Sequence, residues 1–259
     1  MRESPPASAP FARSDSGWAA YVLPYLAFLL ITEVQARPVG EGSLVLWILR
    51  VVVPAGLLLH YYRKGGFPEL RGFRPTFSGV ACDVVLGIAI ALLWIVPFET
   101  GWLSKPDDMS RFDPDQLGAS LRETVLGLRL VGFAAVTPFV EELFVRSFLI
   151  RAAELIRISR RGIDVDFETD FRDLPMARFA WKGFVVTVVL FTFSHLGWQW
   201  PVALLTGIVW NLWLYHRGHI VPLIVSHAVA NATIFILTVT ASGRFADAQG
   251  RVLDLWYQL

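Results

Sequence analysis

Three short clusters of polar residues sit inside otherwise apolar stretches of this sequence, and their side chains are of the types that move protons and stabilise anions. They are Glu141-Glu142-Leu143-Phe144-Val145-Arg146, Phe191-Thr192-Phe193-Ser194-His195 and His227-Ala228-Val229-Ala230-Asn231. An ionisable side chain at mid-bilayer costs about 3 kcal/mol or more, so each such group is a functional candidate by default. Glu142 precedes Arg146 by four positions, the better order for an ion pair on one helical face, and a low dielectric strengthens that pairing. Glu141, turned about 100° around the helix, is left without a local cation and is suited to general acid or base work. The four-residue spacing of His227 and Asn231 puts an imidazole and a carboxamide on one face. Imidazole relays protons, donates to an oxyanion or binds a metal, and the amide donates to a developing negative charge. A carboxylate, two histidines and an amide on three helices could together activate a water and stabilise a tetrahedral intermediate, a peptide-hydrolysis constellation.

Simpler readings compete with that one. Glu142 with Arg146 reads as a structural pair that neutralises itself and orients its helix. A single intramembrane histidine is more often a packing hydrogen-bonder than a catalyst; it is the co-occurrence of His195 and His227 with Glu141 that favours chemistry. His60, His216 and His219 fall at the ends of apolar runs and read as interfacial, and Arg50 is expected to snorkel outward. Asp107-Asp108 and the acids at 164–173 read as solvated loop charge.

The elements that must position these groups are membrane helices. The chain has 259 residues, 54% hydrophobic and only 17% charged, with ten Trp and nineteen Phe. That is too apolar for an ordinary soluble domain and reads as an all-α, polytopic membrane helix bundle. A formal net charge of +1 argues against a nucleic-acid partner, which needs a large basic excess. The lone Cys82 excludes an intramolecular disulfide and a zinc site built on paired thiolates. Apolar runs at 18–31, 44–62, 80–98, 121–156, 183–199, 202–215 and 220–241 predict about seven to eight spans. The run at 121–156, interrupted by Pro138, fits either two bent half-helices or one long tilted helix. Residues 1–16 read as a disordered polar tail, 17–245 as one membrane domain and 246–259 as a C-terminal tail. Lys and Arg concentrate at 63–77 and 157–182, which places those loops and the N-terminus in the cytoplasm. The acidic loop at 99–120 then faces the other side, and with seven spans the C-terminus does too, whereas with eight it returns to the cytoplasm.

The ordered set Glu141-Glu142-xxx-Arg146, Phe191-xxx-His195 and His227-xxx-Asn231 resembles the motifs of the CAAX-type intramembrane endopeptidases, the CPBP or ABI family, which are related to the Ras-converting enzymes. The motifs fall within 138–235. The first 120 residues lie outside them and are similar in general look to bacterial CAAX prenyl protease-related proteins associated with exosortase and C-terminal sorting signals. The resemblance implies that Glu141 and His195 activate the attacking water. It implies also that His227 and Asn231 stabilise the oxyanion, with Glu142 and Arg146 in support. It further implies a multi-pass protein of the bacterial inner membrane, in contact with lipid, acting on a protein or peptide with a C-terminal signal. The family is described both as a metallopeptidase and as metal-free. A divalent metal such as zinc would take Glu141, His195 and His227 as ligands, but the HExxH spacing is absent, and a metal-free site is the expectation.

Two other functions fit the same sequence. A non-proteolytic protein of the same fold, a membrane partner or self-immunity factor, would act through its loops or N-terminal tail. A transporter would carry protons on Glu141 and the histidines, but the chain is small and no internal repeat is detectable.

Overall fold

The computed structural model describes residues 17–36, 43–107, 109–159, 162–166, 169–246, 250 and 252–259. The polar N-terminal stretch 1–16, Asp108, Arg160 and Arg161 lie outside them. Among the described residues the chain forms seven principal helices: α1 (Ala19–Gln35), α2 (Leu44–Arg63), α3 (Phe77–Glu99), α4 (residues 122–155), α5 (Trp181–Phe193), α6 (Trp200–Arg217) and α7 (Ile220–Ala241). Local signals set several ends. Ser43 and Thr76 accept from the backbone N–H of Leu46 and Gly79 to cap α2 and α3. Pro201 lies in the first turn of α6, and Gly218 closes that helix in the left-handed conformation at φ 66°. His219, expected at an interface, caps α7 by accepting from the Val221 N–H.

The helices α2, α3 and α7 are each long and apolar enough to cross a membrane, while α1 and α5 are apolar but shorter. The chain is an integral membrane helix bundle. Of the spanning windows, 56% of residues are buried within the protein in α7 and 11% in α2, so α7 is the central helix and α2 lies at the lipid-facing edge. The closest approach to α7 is made by α3 at Gly87, where a Cβ would stand 2.5 Å from the Ser226 carbonyl oxygen and 2.8 Å from Val229 Cβ. Around that contact Ile90, Ala91, Trp94 and Ile95 pack with Leu214, Leu223, Ile224 and Ile234. A second cluster, Tyr21, Phe67, Leu143 and Phe171, joins α1 and α4 to the loops after α2 and α4.

Of the two forms open to residues 121–156, the continuous helix is the one observed. At 1.5 Å per residue α4 is about 50 Å long, well beyond a bilayer core of about 30 Å. It holds two wide π-helical segments, Val131–Val136 and Leu143–Leu149, on either side of Thr137–Glu142. Pro138 has no N–H and its ring crowds the preceding turn; the wide turn before it relieves both problems without breaking the helix.

Three features depart from the expected runs. The stretch 183–199 is not one span: α5 ends at Phe193 and Gly197–Gln199 forms a tight turn into α6. An antiparallel hairpin, β1 (Ile156–Ser159) with β2 (Gly162–Val165), follows α4. Residues 252–259, expected as a tail, form a strap against the bundle, with Leu255 and Tyr257 buried. The Tyr257 hydroxyl donates to Glu99 at 2.7 Å and Gln258 Nε2 to the Trp94 carbonyl at 2.7 Å.

Candidate active site

Glu142 and Arg146 form the expected pair on α4, with Nη1 to Oε1 at 3.1 Å and both side chains fully buried. The guanidinium is packed over the rings of Phe191 and Trp210, at 4.3 and 5.5 Å from their centroids. Its Nε faces Asn211 Oδ1 at 3.4 Å, and Asn211 in turn donates to Thr187 Oγ1 at 2.8 Å. Asn211 was not among the expected site residues; its signal was an amide in an apolar run. Arg146 thereby ties α4 to α5 and α6.

The pairing does more than neutralise charge, because Glu142 Oε1 also lies 2.7 Å from His227 Nδ1. With Nδ1–H donated to that carboxylate, the ring is fixed in orientation and presents Nε2 on its other edge. There it meets Glu141, whose Oε2 lies 4.0 Å away. The two neighbouring glutamates therefore flank one imidazole. Glu141 is not buried like its neighbour: its side chain is 23% exposed and lines a cavity.

That cavity, about 140 Å³, is lined also by His195, His227 and Asn231, so the four sequence-predicted groups from α4, α7 and the end of α5 share it. His195 packs beside Trp94 and Phe191, and its Nδ1 lies 2.7 Å from the Phe191 carbonyl. Donation to that carbonyl leaves Nε2 with its lone pair. Asn231 Nδ2 donates to the Phe133 carbonyl at 2.7 Å. Phe133 belongs to the first π segment of α4, where the widened turn leaves carbonyls available to outside donors. Thr137, Gln199 and Gln258 supply the remaining polar lining; of these, Gln258 arrives on the C-terminal strap and had no sequence signal.

Arg50, expected to snorkel outward, reaches toward the end of α1. It is half-buried, with Nη1 3.3 Å from Gln35 Oε1 and the guanidinium 5.4 Å from the Phe28 ring. Arg151 joins a separate polar cluster with Glu69, Ser147 and Tyr21, which fastens the loop after α2 to α4. Among the described residues no three His, Cys, Asp or Glu side chains are grouped so as to hold a metal ion. Glu141, His195 and His227 are not so grouped as they stand.

Residues 124–233 match a family model, type II CAAX prenyl endopeptidase Rce1-like. The matched stretch contains Glu141, Glu142, Arg146, His195, His227 and Asn231 and excludes α1 to α3 and the strap. No curated protein and no solved structure matches the chain.

Proposed function

We propose, for a chain whose residues 124–233 match the model of the type II CAAX prenyl endopeptidase Rce1-like family, that it is a member of that family and an intramembrane endopeptidase hydrolysing a peptide bond near the C-terminus of a membrane-associated protein. The observation that carries this reading is the convergence of Glu141, His195, His227 and Asn231 on one cavity. In the proposed reaction a water beside Glu141 gives a proton to its carboxylate, aligned by the lone pair of His195 Nε2, and the hydroxide attacks the scissile carbonyl carbon. The oxyanion is met by the Nε2 edge of His227, which faces the cavity while Nδ1 is held by Glu142. The second N–H of the Asn231 amide, the first being held by Phe133, donates beside it. Glu141 then returns its proton to the leaving amine and the C–N bond breaks.

Glu142, Arg146 and Asn211 are positioning groups in this scheme: they hold the His227 ring and touch no reacting atom. The cavity lies at the end of the bundle that carries the 99–120 loop and the strap. If the basic loops and N-terminus are cytoplasmic, in a bacterial inner membrane, the substrate is met on the extracytoplasmic side. Labelling a Trp102→Cys, Cys82→Ser protein in intact cells with a membrane-impermeant maleimide tests that placement: labelling supports it, and protection until lysis reverses it. The activity is tested by comparing protein C-termini in membranes carrying the wild type or Glu141→Gln at equal expression. A protein whose C-terminus is longer only with the variant supports proteolysis. Identical C-termini across all detected membrane proteins would refute it.

A further inference from the structure

Beside the catalytic cavity, on the side of α2, two arginines, Arg50 and Arg129, line one crevice with no carboxylate among the described residues paired to either. Arg129 on α4 is half-buried, and its Nε is enclosed with no acceptor among the described residues. Among the described residues its guanidinium meets rings, 5.1 Å from the Phe133 centroid and 5.7 Å from that of Phe112. Arg50 on α2 lies within electrostatic range of both Arg129 and Glu141, and among the described residues its hydrogen bond is to the neutral Gln35. The Gln35 amide nitrogen is a second buried donor without an acceptor among the described residues. Two guanidiniums lining one crevice in a low dielectric repel and carry a large desolvation cost unless an anion joins them. A planar guanidinium fork also matches a carboxylate, which it can hold through two parallel N–H···O bonds.

The arginines line a crevice with Trp47, Val51, Phe133 and Thr137 of about 10 Å³, room for a group the size of one water or one carboxylate oxygen. Phe133 and Thr137 are also walls of the catalytic cavity, so the two spaces adjoin. We propose that Arg50 and Arg129 form an anion seat for the free C-terminal carboxylate of the peptide substrate, holding the scissile bond over Glu141. This inference rests on the endopeptidase reading above and gives it a ruler. Arg129 and Glu141 are separated along α4 by at most about 18 Å at 1.5 Å per residue. An extended peptide covers that in about five residues, so the seat limits cleavage to within about five residues of the C-terminus.

The test uses the full chain in phosphatidylcholine vesicles, with and without phosphatidylglycerol. The probes are a pooled library of short membrane-anchored peptides made once with a free C-terminal carboxylate and once with a C-terminal amide. Wild type is expected to cleave the carboxylate pool with a kcat/KM about 10- to 100-fold above the amide pool, the usual effect of one or two charge-assisted hydrogen bonds. Arg129→Gln and Arg50→Gln are expected to treat the two pools alike, through a raised KM for the carboxylate peptides. Equal cleavage of both pools by wild type overturns the seat, and that comparison decides even if the variants fail to fold. An effect of the substitutions that is the same on both pools and appears only with phosphatidylglycerol would assign the arginines to a lipid phosphate instead. Cleavage of neither pool by wild type would refute the endopeptidase reading, and the seat with it.

Discussion

Glu141 and Glu142 are adjacent in sequence, and replacing each with glutamine should have different consequences for stability. At Glu142 the substitution keeps the shape but removes the charge facing Arg146 at 3.1 Å, in a pair with no exposure on either side. The Coulomb energy at that separation is about 5 kcal/mol for an effective dielectric of 20. Stranding a buried partner costs about 3–5 kcal/mol in measured cases. The glutamine oxygen still accepts from Arg146, which argues for the lower end, about 3 kcal/mol. The same change removes the counter-charge at His227 Nδ1, so activity should fall as well. At Glu141 the side chain is 23% exposed and His227 Nε2 is 4.0 Å away. Glu141→Gln should therefore leave stability within about 0.5 kcal/mol of wild type while lowering turnover about 10²- to 10⁴-fold, the range for a lost general base. Reversible unfolding in mixed micelles, followed by fluorescence of the ten tryptophans, measures the first quantity, and peptide cleavage the second. If Glu142→Gln were within about 1 kcal/mol of wild type, or Glu141→Gln as unstable as Glu142→Gln, the division into one positioning and one reacting carboxylate would be wrong.

Three further outcomes follow from the packing. Asn211→Leu removes the contacts to Arg146 and Thr187 and should cost about 1–3 kcal/mol. Combined with Glu142→Gln its effect should be less than additive, because both act on Arg146; strict additivity in the same unfolding assay would count against a shared network. Gly87→Val must push α3 from α7, since the Cβ alone would lie 2.5 Å from the Ser226 carbonyl. A loss of about 1–3 kcal/mol together with reduced cleavage is expected, and wild-type behaviour in both assays would contradict the packing. Tyr257 on the strap has its phenol pushed above the ordinary value of 10.0 by burial first and then by its hydrogen bond to Glu99. A raised value in the folded state means that the neutral phenol is favoured there. Its contribution is complete below about pH 10 and is lost as pH rises beyond it. Alkaline unfolding of the wild type should thus steepen above that pH and Tyr257→Phe should flatten it; parallel curves would exclude the strap's phenol as the cause.

The parts of the site legible in the sequence were those confined to one helix. Glu142 and Arg146 are four positions apart, and a spacing of 3.6 residues per turn brings them together wherever the helix goes. The apolar runs were legible for the same reason, since spanning length and hydropathy are local properties. What joins helices left weaker traces. No spacing rule links Glu142 to a histidine 85 positions later, or brings Gln258 to the cavity from the far end of the chain. Asn211 was detectable only as an amide among apolar residues, which marks a buried polar group without naming its partner. The hairpin after α4 was hidden by the charged composition of its loop.

The dipeptide Glu141-Glu142 shows why the local rule was incomplete even where it succeeded. Two successive helical residues diverge by about 100°, and from sequence that divergence separates their environments, one paired and one free. In the folded protein the same divergence lets them flank a single ring, one carboxylate at each nitrogen of His227. The α-helical turn that carries them lies between two π segments, one of which offers the Phe133 carbonyl to Asn231. Asn231 and His227 are on one face of α7, so a single neighbouring helix holds both of them, by a side chain at one point and by its backbone at the other. A regular helix through 131–136 would return that carbonyl to its own ladder and leave the Asn231 amide without its fixed acceptor. The irregularity beside Pro138 is therefore best understood as part of how the proposed oxyanion site is oriented.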